Sequence, residues 1–70
     1  MRDITVSIMV DLPSWLRREL GERGMQQREL ADRLGVHART VGLWCRGKTT
    51  PNAEMLLRMF VLFGYRVTEG

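Results

Sequence analysis

The 70-residue sequence contains one cysteine, Cys45, and one histidine, His37. A lone thiol forms no intramolecular disulfide, and one thiol with one imidazole cannot complete a structural zinc site. No apolar run approaches the roughly 18 residues that a membrane-spanning helix needs. The richest stretch, Met55 to Phe63, is too short. No charged leader followed by an apolar segment opens the chain, so a cytoplasmic location and no membrane partner are expected. The sequence holds no Ser/His/Asp or Cys/His set with plausible geometry and no glycine-rich phosphate loop. Neither catalysis nor a cofactor or metal is therefore expected. A chain this short reads as a single domain over 1–70, with no room for a sensor or catalytic unit and no linker or internal repeat. It buries little surface, and without a disulfide or metal its stability must come from tight helix packing or oligomerisation.

Charge is unevenly spread. Eleven Lys and Arg face eight Asp and Glu, for a net charge of +3. Between Arg23 and Lys48 lie six cations (Arg23, Arg28, Arg33, Arg39, Arg46 and Lys48) and two acids (Glu29 and Asp32), a local net of four positive charges. The remainder carries five cations and six acids, a net of one negative charge. A basic middle suits a polyanion such as DNA, and equally a solvated surface.

Ile4, Val6, Ile8 and Val10 alternate with Thr5, Ser7 and Met9, which predicts a half-buried strand over 4–10. Asp11 is placed to cap, and Pro13 to open, a helix over about 13–23 with Trp15, Leu16 and Leu20 inward. A possible Arg18–Glu22 pair at i, i+4 is worth only about 0.3–0.5 kcal/mol. A second helix starts near Gln26, with Leu30, Ala31 and Leu34 on one face and Arg28, Glu29, Asp32 and Arg33 outward. A third spans about 37–45, with Val41 and Trp44 inward. A fourth runs from Pro51 to about Phe63, capped by Asn52 or Thr50, with Met55, Leu56, Met59, Phe60 and Phe63 as its apolar stripe. Gly24, Gly35, Gly47 and Gly64 end successive helices. Tyr65 to Thr68 predicts a second short strand.

The functional signal is the run from Gln27 to Trp44. Two short helices must cross steeply over a tight turn. Small Ala31 allows close approach, Gly35 takes the turn, and Leu30, Leu34, Val36, Val41 and Trp44 supply one apolar cluster. One face of the second of these helices is left free, and a helix of that size fits the major groove of B-DNA.

These residues resemble the Xre/Cro-type helix-turn-helix repressors. The matching elements are Gln27, Leu30-Ala31, Leu34-Gly35-Val36, Thr40-Val41, Trp44 and the loop Gly47-Lys48-Thr49-Thr50-Pro51, and the similarity covers about residues 15–63. The resemblance implies a mainly α fold: a compact four-helix repressor-like domain, with helix-turn-helix 26–46, to which the strands at 4–10 and 65–68 would be added. The chain departs from the family pattern at His37, where a serine often caps the recognition helix. It departs again at Cys45, where an acid often follows the tryptophan. Ala38 and Leu43 leave the recognition helix less polar than usual, and Gly42 adds flexibility.

By the same resemblance, His37, Ala38, Arg39, Thr40 and Leu43 would face base edges. Arg39 leads, because its fork matches guanine O6 and N7, while Ala38 or Leu43 would pack on a thymine methyl. Gln27, Arg28, Arg46 and Lys48 would contact phosphates, which set affinity and register but carry little sequence information. Trp44 and Trp15 read as core, Cys45 as a packed free thiol, and Arg17, Arg18 and Arg58 as solvated charges. The expected function is transcriptional control by a Cro-like or prophage repressor. It would bind operator DNA as a homodimer, with recognition helices about 34 Å apart in successive major grooves. An antitoxin that binds a toxin protein and represses its own promoter is the alternative. A toxin-like reading frame beside the gene would discriminate. A pure protein-interaction module with no salt-dependent DNA binding is the third reading.

Overall fold

The computed structural model describes residues 11–65. Four helices occur there: α1 (Leu12–Arg23), α2 (Gln27–Leu34), α3 (Ala38–Cys45) and α4 (Ala53–Leu62). The expected strands, 4–10 and 65–68, lie outside the described residues except for Tyr65. Among the described residues, no helix is long and apolar enough to cross a membrane.

Apolar residues at helical spacing form the core. Leu16 from α1, Leu30 from α2, Val41 from α3 and Met59 from α4 are fully excluded from solvent. Ala31, Leu34 and Trp44 are also buried, and Val36 packs at the edge, as the helix-turn-helix pattern predicts. Trp15 joins α1 to the end of α4. Its ring meets Phe60 and Phe63 edge-on at 5.7 and 5.8 Å, and Tyr65 lies 6.0 Å away. Such aromatic pairs contribute about 0.5–1.5 kcal/mol beyond their buried area.

The turn between α2 and α3 depends on Gly35, whose φ of +73° is costly for a residue with a Cβ. The Val36 N–H then reaches back to the Ala31 carbonyl at 3.0 Å, closing α2. Gly47 ends α3 in the same way. A Cβ there would also lie 3.2 Å from Pro13 Cγ, so the start of α1 packs directly on the loop after α3.

Several local expectations are corrected. The Asp11 side chain caps nothing; α1 begins instead with the Asp11 carbonyl accepting from the Trp15 N–H at 3.1 Å. Helix α4 starts at Ala53 rather than Pro51. Asn52 is extended and its Oδ1 accepts from the Met55 N–H at 2.9 Å, which leaves Pro51 buried in the loop. No Arg18–Glu22 ion pair forms among the described residues. The pairs that do form are Glu19–Arg23 at 3.2 Å and Glu29–Arg33 at 3.4 Å.

Glu19 is the one buried charged residue among those described. Its Oε1 accepts from Arg23 Nη2 and from the Tyr65 hydroxyl. Arg23 also donates to the Phe63 carbonyl at 2.7 Å and lies 4.7 Å over the Phe63 ring. A buried carboxylate needs such partners, and these fasten α1 to the chain leaving α4. Burial and the bond to Glu19 push the Tyr65 phenol above its ordinary value.

Candidate nucleic-acid interface

α3 is held from behind by α1 and α2, whereas α4 packs mainly on α2. Val41, Gly42, Trp44 and Cys45 turn inward. Arg39, Leu43 and Arg46 recur at i, i+4 and i+7 and so share the opposite face. Arg39 and Arg46 are exposed. Leu43 is half-buried between them, but it is not among the residues packed against the core. Thr40 is half-buried at the edge of this stripe. Ala38 packs against the core, so its methyl lies off the centre of the stripe.

His37 is the N-cap of α3. Its backbone is extended, and Nδ1 accepts from the Arg39 N–H at 3.1 Å, which satisfies one of the open donors at the helix start. An accepting Nδ1 puts the proton of the neutral ring on Nε2. The exposed ring therefore presents a donor at the positive end of α3. Histidine thus does the work of the usual serine cap and adds an outward-facing N–H.

Gln27 opens α2 and lies across the middle of α3. Its Oε1 stands 3.2 Å from where a Cβ on Gly42 would be. Gly42 is accordingly a seat for the Gln27 amide, not a source of slack in the recognition helix. No side chain caps α2, so its first N–H groups are open beside Gln27 and the exposed Arg28. Open helix N–H groups with an adjacent cation suit an anion such as a phosphate. Lys48 is exposed on the loop just past α3.

Arg17, expected as a solvated charge, is exposed but anchored. Its guanidinium donates to the Cys45 carbonyl at the end of α3 and to Ser14 Oγ at 3.4 Å. It satisfies a terminal carbonyl and ties the end of α3 to α1. It also lines a surface groove with Gln26, Gln27 and Arg28, which puts it on the basic side of the molecule. Nothing within α1 signals this role, because it depends on which helix end lies opposite. Cys45 itself is buried, and burial pushes its thiol above the ordinary value despite the opposing pull of Arg17 and Arg46. That is the character of a packed thiol rather than a reactive one.

The family model of the helix-turn-helix proteins matches residues 16–69, which takes in all four helices but for the start of α1. No curated protein and no solved structure matches the chain.

Proposed function

The chain belongs to the Xre/Cro-type helix-turn-helix family and is a DNA-binding transcriptional regulator, and from that premise we propose that it is a Cro-like or prophage repressor that holds operator DNA as a homodimer. In this reading the outer face of α3 enters the major groove. Arg39 reads guanine with its fork, Leu43 packs on a thymine methyl, and His37 and Thr40 donate to bases or to nearby phosphates. Ala38, at the flank, contributes shape at most. Gln27, Arg28, Arg46 and Lys48 bind phosphates and set the register. The protein would act in the cytoplasm, by occupying its site and excluding polymerase or a competing regulator.

The observation that carries this reading is the Arg39–Leu43–Arg46 stripe. It runs the length of a helix held from behind by two others, and it begins at a cap that presents a further donor. The test is selection of bound sequences from random duplex DNA. A palindrome with half-sites about one helical turn apart and a fixed guanine in each is expected. Failure to enrich any sequence, with binding that depends only on salt, would overturn sequence-specific readout.

A further inference from the structure

α4 is apolar on nearly every side. Met59 and Phe63 are buried, while Met55, Leu56, Phe60 and Leu62 pack against the core. A helix apolar all round is normally covered all round. Leu57 and Val61 are nevertheless 48% and 67% exposed, the only large hydrophobic residues exposed among those described. Together with Glu54 and Arg58 they complete an i, i+3, i+4, i+7 stripe, and all four members face solvent. Beside the stripe runs a groove lined by Leu34 and Leu62 and edged by Arg33 and Arg58.

We propose that this stripe is a two-fold interface, with α4 of one protomer antiparallel to α4 of its partner. The proposal rests on the dimer reading above and gives that dimer a location. A second copy is the occupant that fits the charges. The stripe carries one acid and one base, and a two-fold contact presents each to the other. An antiparallel crossing centred near Leu56 and Leu57 sets Glu54 beside the partner's Arg58 and keeps the two Arg58 side chains apart. Neither Glu54 nor Arg58 has an ion-pair partner among the described residues of its own chain. A patch built for an acidic protein would show cations alone. Because α4 packs on α2 and not chiefly on α3, a contact here leaves the face of α3 clear for DNA.

Sedimentation equilibrium of the full chain tests the interface, with circular dichroism to follow the fold. The wild type is expected to dimerise. Leu57→Glu is expected to raise the dissociation constant at least about tenfold, because it places like charges in a desolvated centre, while helicity is unchanged. Arg58→Glu weakens the dimer, and the double exchange Glu54→Arg with Arg58→Glu restores it. That restoration separates pairing across the interface from damage to the fold. A wild-type dimer that Leu57→Glu leaves intact overturns the interface but spares the dimer reading. A wild type that stays monomeric overturns both.

Discussion

His37 stands where the chain turns into α3, and a single bond orients its ring: Nδ1 accepts the Arg39 N–H at 3.1 Å. The same bond ties the cap to the backbone of the principal candidate base reader. His37→Ala is expected to cost about 0.5–2 kcal/mol, the usual range for losing a cap. His37→Ser is expected to keep that stability while losing the outward Nε2–H. Thermal melts separate the two variants, and DNA titration shows whether the ring donor matters beyond the cap. An unchanged melting temperature in His37→Ala would mean that the cap carries no weight. Cys45 is expected to be slow toward alkylating agents in the native state and fast once unfolded, because burial raises its thiol. Timed modification followed by mass spectrometry checks this.

At the level of elements, α2 meets α3 closely at Gly42. Gly42 is helical and buried, and its only close neighbour is the end of a flexible side chain, Gln27 Oε1. Alanine there gains helix propensity of up to about 1 kcal/mol, and the Gln27 amide must shift by a few tenths of an ångström. Gly42→Ala is thus expected to raise the melting temperature slightly and to weaken DNA binding, a separation that binding titrations and melts on one sample would reveal. Loss of stability instead would show that Gln27 is rigidly held. The four helices, their inward faces and the turn at Gly35 were legible in the sequence, because periodicity and glycine punctuation act over a few residues. The Gln27–Gly42 contact was not, since it exists only after two helices meet. The anchoring of Arg17 and the burial of Glu19 were not legible there for the same reason. On a helical wheel both look solvated, but one meets the end of α3 and the other the chain leaving α4.

For the molecule as a whole, the contacts among Glu19, Arg23, Phe63 and Tyr65 close the fold between α1 and the end of α4. Tyr65 titrates above its ordinary value of about 10 in the folded state, chiefly through burial and then through its bond to Glu19. The unfolded chain therefore loses this proton first as pH rises, and the associated stability is present below about pH 10 and is lost as pH climbs through the folded value. Urea midpoints taken between about pH 8 and 11 are expected to fall at the alkaline end. Tyr65→Phe should show a shallower fall, and an equal fall in both proteins would assign it to other groups. The groups of this closure and the exposed stripe of α4 lie on elements other than α3, so stability, the proposed dimerisation and the proposed DNA readout are expected to be separable by mutation.

The central claim is that the outer face of α3 reads sequence through Arg39. Its most direct test is a paired titration of wild type and Arg39→Ala on the selected operator and on a random duplex, at one salt concentration. The expected result is a loss of about 1–3 kcal/mol on the operator, little change on random DNA, and relaxed preference at one base pair per half-site. Equal loss on both duplexes would contradict the claim and make Arg39 a phosphate contact.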